Sequence, residues 1–177
     1  MTISLAIDTS TARTIVGIIN GDEILFEKFH EGATDHGRAL SDLVAQALQA
    51  SRPPQQVVVG MGPGPFTGLR VGIAFAHTFG LARNIPVIGI CSLDAIAIDK
   101  SEYTVAIDAR RKEIYWAKYK DGVRIVGPAV SKPAEVDGFI IGQYPDMKKL
   151  VALSATHNVK EPMYLRRPDA VPTAERS

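Results

Sequence analysis

Two aspartates carry the first chemical suggestion in this chain, because each closes a short hydrophobic strand and opens a polar turn. Asp8 follows Leu5-Ala6-Ile7 and precedes Thr9, Ser10 and Thr11, while Asp108 follows Val105-Ala106-Ile107 and precedes Ala109-Arg110-Arg111-Lys112. One carboxylate from each of two hairpins is the set with which a phosphotransferase holds magnesium while the adjoining turns cradle phosphates. On that reading Asp8, Thr9, Ser10 and Asp108 contact a nucleotide. The second turn argues against it, since it has no glycine to let the backbone fold around a phosphate, although its basic side chains attract anions. The other reading of Asp8 is a turn cap, its carboxylate accepting from nearby backbone N–H groups. The residues favour the cap.

Metal chemistry on one helix face needs two histidines a turn apart. The four histidines, His30, His36, His77 and His157, include no two within four residues of each other. His36 and His77 read as surface or interface residues, and neither a metal site nor a resident cofactor is expected. Cys91 reads as a small core residue behind a buried strand. Arg110-Arg111-Lys112 with Tyr115 and Trp116 close behind could form an RNA surface of charge plus stacking platform. Alternation along a strand puts the two rings on opposite faces, so at least one is core, and a solvated hairpin edge is the more ordinary reading.

The most specific local pattern is Gly60-Met61-Gly62-Pro63-Gly64-Pro65-Phe66-Thr67-Gly68-Leu69-Arg70-Val71-Gly72, which leaves the β-branched run Val57-Val58-Val59 and enters a helix. Such a terminus can bind phosphate through backbone N–H groups and the helix dipole. A P-loop, however, ends in Gly-Lys-Ser/Thr, and Arg70 has no hydroxyl after it. Pro65 suits a first helical position. Gly68, Gly72, Ala76 and Gly80 recur every four residues, so one side of the helix is nearly bare backbone and something packs very close to it.

The elements that position these residues repeat. Strand, aspartate, strand and turn follow in the same order one hundred residues apart: Thr14 to Ile19 and Glu113 to Tyr119 are the second strands, and Asn20-Gly21 and Asp121-Gly122 signal tight hairpins. Third strands run from Glu23 to Phe29 and from Val123 to Val126. Lobe one continues with a helix from His36 to Ser51, capped by Asp35 and stopped at Arg52-Pro53-Pro54, then strand Val57 to Val59, helix Phe66 to Arg83 and strand Val87 to Ile90. Ser92 caps a short helix through Asp99. Lobe two adds a small helix near Lys132 to Val136, a strand over Gly138 to Gly142, and a helix from Pro145 to Ala155 with Met147, Leu150 and Val151 inward. The segment from Glu161 to Ser177 reads as extended and tied down at Tyr164-Leu165.

Composition sets outer bounds. A chain of 177 residues, 46% hydrophobic and 22% charged, is that of a globular protein able to bury about 70% of its unfolded surface. Twenty basic against nineteen acidic residues give no global field for nucleic acid, so RNA contact must be local or through a partner. One cysteine suits a reducing compartment. Met1-Thr2-Ile3-Ser4 does not open a signal peptide and no apolar run spans a membrane, so a cytoplasmic protein is expected.

Five motifs, in order, resemble the bacterial tRNA threonylcarbamoyladenosine biosynthesis family TsaB, also called YeaZ. They are Ala6-Ile7-Asp8-Thr9-Ser10-Thr11, Gly62 to Gly72, Ser92-Leu93-Asp94-Ala95, Asp108-Ala109-Arg110-Arg111-Lys112-Glu113-Ile114-Tyr115 and Pro162-Met163-Tyr164-Leu165-Arg166. The resemblance implies an α/β, actin-like ATPase (ASKHA, ribonuclease H-like) fold of two related lobes, residues 1–100 and 101–177. It implies a role in placing threonylcarbamoyl on N6 of adenosine 37 in tRNAs that read codons beginning with adenine. The implied partners are the metal-bearing paralogue TsaD, which carries the catalysis, and the ATPase TsaE. A homodimer is expected when the partner is absent and tRNA contact only through the complex, with the complex interface as the candidate place for ATP or ADP and magnesium. An actin-like phosphotransferase is the alternative. Two departures stand out: Pro65 where the family commonly has Ser, and a compact second lobe.

In that frame the helix pair is the partner-binding element. The expected interface is Leu40, Leu43, Val44 and Ala47 on the first helix with Gly68, Leu69, Gly72, Ile73, Ala76 and Gly80 on the second, since small side chains let helix axes approach closely. The stripe could instead face the chain's own sheet.

Overall fold

Two hairpin-led sheets organise the computed structural model, which describes Met1 to Arg166. The first is built from β1 (Ile3–Asp8), β2 (Arg13–Asn20), β3 (Glu23–Glu31), β4 (Gln56–Gly60) and β5 (Val87–Ile90), in the order β3-β2-β1-β4-β5. Helices α1 (His36–Ala50) and α2 (Phe66–Arg83) connect its strands. The second sheet has β6 (Glu102–Asp108), β7 (Ile114–Lys120), β8 (Val123–Ser131) and β9 (Phe139–Ile140), in the order β8-β7-β6-β9. Helix α3 (Met147–Leu153) follows.

The repeat seen in sequence is a repeat of topology. β1 pairs antiparallel with β2 and parallel with β4; β6 pairs antiparallel with β7 and parallel with β9. In the second hairpin Asp121 and Gly122 are both at positive φ, 49° and 77°, as a primed two-residue turn requires. In the first, the register pairs Asn20 with Glu23, so the loop residues are Gly21 and Asp22.

Alternation along the strands of the first sheet feeds two cores. Leu5, Ile7, Val16, Ile18, Val57 and Val59 meet α1 and α2, whereas Ala6, Ile15, Ile19 and Val58 meet Met147 and Leu150 of α3. Covered on both faces, β4 reads as an unbroken apolar run. Helix α3 is therefore a correction: sequence order assigns it to the second lobe, but it seals the far face of the first sheet. A third core lies between Cys91, Leu93 and Ile96 and the inner face of β6 and β7.

Several boundaries also move. β3 and β8 run on to Glu31 and Ser131, the strand over Gly138 to Gly142 contracts to two residues, and α3 is shorter than Pro145 to Ala155. The helix from Ser92 is one 3-10 turn ending at Ala95. Pro65 is the N-cap of α2 rather than its first residue, its carbonyl accepting from Leu69 N at 3.0 Å. Asp35 precedes α1 without a side-chain cap, and its carboxylate lies 3.5 Å from His30 Nε2. Residues 167–177 of the expected extended segment lie outside the described residues. Within the described part Met163 N donates to Met61 O just past β4, and shortly before the segment Val159 N donates to Gly89 O of β5. Among the described residues no helix is long and apolar enough to cross a membrane.

Candidate functional site at the lobe junction

The turn after β1 folds back on its own aspartate. Asp8 Oδ1 accepts from the backbone N of Ser10 at 2.8 Å and from its hydroxyl at 2.6 Å, and Ser92 Oγ donates to Asp8 Oδ2 at 2.7 Å. Ser92 Oγ accepts in turn from Gly62 N. Asp8, Thr9 and Ser10 are all buried, and burial raises the Asp8 pKa against the lowering effect of the two serines. Ser92 thus serves this carboxylate instead of capping a helix.

The glycine-rich motif is the seat for that turn. A Cβ on Gly60 would overlap Asp8 Oδ2 and stand 2.6 Å from Ser92 Oγ; one on Gly64 would stand 2.5 Å from Ser10 O, and one on Gly68 2.8 Å from Thr9 O. A Cβ on Gly72 would overlap the Thr9 hydroxyl, which donates to Gly68 O at 2.7 Å. Further along, Gly80 abuts Val87. The bare stripe therefore faces the chain's own β1–β2 turn and sheet.

The ten residues expected at an interface all take part in the chain's own packing. Leu40, Leu43, Val44, Ala47, Gly68, Leu69, Gly72, Ile73, Ala76 and Gly80 are all buried within the chain, and seven of them lie in the core shared with β1, β2 and β4. His36, expected at a surface, is also buried, with Nδ1 2.9 Å from Thr14 Oγ1. What the helix pair leaves outside is different: Leu81 is 85% exposed, with exposed Ala74 and Thr78 on the same side of α2. The four-residue spacing of the glycines marks the inward side of the helix, and Leu81 falls out of that register.

The second turn repeats the first hydrogen bond with an open outlook. Asp108 Oδ1 accepts from Arg110 N at 2.9 Å, but Asp108 is exposed. Arg110, Arg111 and Lys112 then adopt φ of 63°, 54° and 61°, three consecutive left-handed residues with no glycine among them. Tyr115 is buried, and Trp116 is half-buried with Nε1 donating to Ser131 Oγ.

Between the two turns lies a cavity of about 140 Å³ lined by Thr11, Pro65, Asp108, Arg110, Gln143 and Tyr144 among others. It is smaller than the roughly 300–1,000 Å³ of ordinary ligand pockets. Asp8, Thr9 and Ser10 do not line it. Asp8 is poorly placed to hold a magnesium nucleotide: it is fully buried, its carboxylate accepts three hydrogen bonds from Ser10 and Ser92, and it does not line the cavity. Among the described residues no group of three or more His, Cys, Asp or Glu side chains is placed to hold a metal ion. Sequence reasoning missed Ser92 as the partner of Asp8, and it missed the pairing of Phe66 with Tyr164, whose ring centroids are 4.8 Å apart. Both link residues more than eighty positions apart, beyond any local periodicity.

Comparison with known proteins fits this architecture. The family model of TsaD, tRNA N6-adenosine threonylcarbamoyltransferase, matches residues 28–171. An uncharacterized protein of Mycobacterium leprae is 43% identical, the match covering 97% of this chain and 57% of that one. An uncharacterized protein of Mycobacterium bovis is 40% identical over 96% of this chain and 94% of its own. The tRNA threonylcarbamoyladenosine biosynthesis protein TsaB of Escherichia coli is 32% identical over 66% of this chain and 54% of that protein. The chain thus spans little more than half the length of the Escherichia coli and Mycobacterium leprae relatives. A Pseudomonas aeruginosa protein described as similar to peptidase YEAZ superposes with a TM-score of 0.80 at 22% identity, covering 94% of this chain and all of the other. YeaZ from the same organism gives 0.75 at 21%, covering 87% and 91%. The shared fold is an α/β fold of two related sheets.

Proposed function

The chain belongs to the TsaB/YeaZ family, and from that premise we propose that it is a non-catalytic subunit in the threonylcarbamoylation of tRNA adenosine 37, acting as the dimerisation partner of the metal-bearing paralogue TsaD. The observation that carries this reading is the outer face of α2. Leu81 is almost wholly exposed beside Ala74 and Thr78, with Val71, Phe75 and Phe79 only half-buried around them. Thr67, Arg70 and His77 are exposed on the same side, so the face is mixed, with Leu81 as its one large apolar side chain mostly open to water. Because the matching family model is that of the transferase itself, the partner carries an equivalent helix pair, and a pseudo-symmetric pairing covers both faces at once. The same argument gives a homodimer when the paralogue is absent.

The burial of Asp8 under Ser10 and Ser92, which commits its carboxylate to the fold, supports a subunit without chemistry of its own. In this reading TsaE joins the pair, ATP or ADP with magnesium belongs at the boundary between subunits, tRNA is engaged by the assembled complex, and the site of action is the cytoplasm. Co-expression with the host's paralogue, a mass measurement of the complex and an assay of tRNA modification test it. A stable pair that modifies tRNA, with neither subunit active alone, is expected. Modification by this chain alone, or failure to associate with the paralogue, overturns it.

A further inference from the structure

We propose that the left-handed basic turn of the second lobe and the aromatic pair beside it form a contact for single-stranded RNA within the assembled complex; the inference rests on the functional reading above and adds a surface to it. Arg110, Arg111 and Lys112 are all exposed, and each holds a backbone conformation that non-glycine residues seldom adopt. The surroundings over-determine that conformation. Glu113 N donates to Arg110 O and Ala109 N to Glu113 O, at 3.0 and 2.9 Å, while Asp108 holds Arg110 N from below. The Arg166 guanidinium clamps the turn from the side, donating to Arg110 O at 3.2 Å and pairing with the Glu113 carboxylate.

Two residues before Arg166, the Tyr164 ring packs against Phe66 at a 48° tilt, and each ring is about 40% exposed. The Arg70 guanidinium sits 5.1 Å over the Phe66 ring. Pro65, next to Phe66, lines the same cavity as Arg110, so the basic turn and the start of α2 border one depression. Arg70, Arg110, Arg111, Lys112 and Arg166 gather here around the carboxylates of Asp108 and Glu113, in a chain whose formal net charge is +1.

Half-exposed rings beside guanidinium groups offer a base a stacking face and its phosphates a cationic rim. Only unstacked bases reach such a platform, which selects single-stranded loops over duplex. A protein partner is better served by the part of α2 around Leu81, at the opposite end of the helix from Phe66. A merely solvated hairpin edge has no need of three strained residues in a row.

Fluorescence anisotropy of a labelled anticodon stem-loop, titrated with the intact chain alone and with the assembled pair across a salt series, tests the proposal. Tyr164→Ala should weaken binding about fivefold or more while Tyr164→Phe retains it, as expected when one base no longer stacks. Arg110→Asn with Lys112→Asn removes charge with a residue that tolerates the left-handed region, and should flatten the salt dependence by about 0.7 for each phosphate no longer neutralised. Affinity within about twofold of the unsubstituted chain and an unchanged salt slope, in variants with unaltered thermal unfolding, overturn it. So does loss of the paralogue rather than of RNA, which would make the patch a protein surface. Should no pair form with the unsubstituted chain, the functional reading fails, and the titration of the chain alone still decides the patch.

Discussion

Asp8 and Asp108 make the same bond in opposite surroundings. Each accepts from the backbone N–H two residues on, at 2.8 and 2.9 Å, at the end of the equivalent strand of its sheet; the first is fully buried and the second exposed. The first lobe has converted a potential ligand into a structural knot, because Ser10 and Ser92 close over it. Asp8→Ala should cost about 1–3 kcal/mol for each buried partner left without an acceptor. Asp108→Ala should stay within about 0.5 kcal/mol of the parent. Urea unfolding of the two variants checks the pair.

Titration of Asp8 gives a second expectation. Burial raises its folded-state pKa above the ordinary 3.8, with Ser10 and Ser92 opposing. The folded chain therefore binds more protons than the unfolded chain between 3.8 and the raised value, so this group's contribution to stability falls as pH rises through that window. Asp8→Asn removes the titration. The stability of the parent relative to Asp8→Asn should grow as the solution is acidified towards about pH 4, and a difference flat with pH would contradict the assignment.

The glycines separate by what stands over them. Gly72→Ala drives a Cβ into the Thr9 hydroxyl and should cost about 1–3 kcal/mol, the usual penalty of overpacking. Gly37, in the first turn of α1, has nothing within 4 Å of such a Cβ, and Gly37→Ala should be neutral or stabilise by up to about 1 kcal/mol through its better helix propensity. Thermal unfolding of both chains reads the contrast; equal effects would mean that Thr9 does not rest on α2.

The repeated hairpins, the span of α2 and the close approach at its small-residue stripe were legible in the sequence, because strand alternation, turn residues and glycine spacing are local signals. What touches the stripe was not. Thr9 lies some sixty residues before Gly68 and Gly72, and nothing in the spacing of the glycines distinguishes a turn of the same chain from a helix of another. The destination of α3 was hidden for the same reason: Met147 and Leu150 announce an apolar face, but either sheet would accept it. At the junction, the aspartate turns were legible as a pair, whereas Ser92 as the lid on Asp8 required the fold to bring the ends of β1 and β5 together across β4, over Gly60.

Cys91 should be inert in the native protein. Burial, with the Asp94 charge adding to it, pushes its thiol up to about 12, and the side chain is 1% exposed. The thiolate is the reactive form, so its fraction at about pH 8 is very small. A disulfide reagent should label one thiol only after denaturant is added. Rapid stoichiometric labelling of the folded chain would show the core around Leu93 and Tyr119 to be open.

Partner binding should respond to the outside of α2 and not to its stripe. Leu81 contributes little to the chain's own core, so Leu81→Glu should leave unfolding within about 0.5 kcal/mol of the parent. At the centre of an interface, a large apolar side chain replaced by a charge loses its pocket and buries an unpaired carboxylate, a loss of about 2 kcal/mol or more. Calorimetric titration with the metal-bearing paralogue should therefore show affinity falling about thirtyfold or further, and self-association should weaken in step. Gly72→Ala tests the inner face in the same assay: once its stability loss is offset by working at lower temperature, its affinity should match the parent. Full affinity in Leu81→Glu with loss in Gly72→Ala would return the interface to the small-residue stripe.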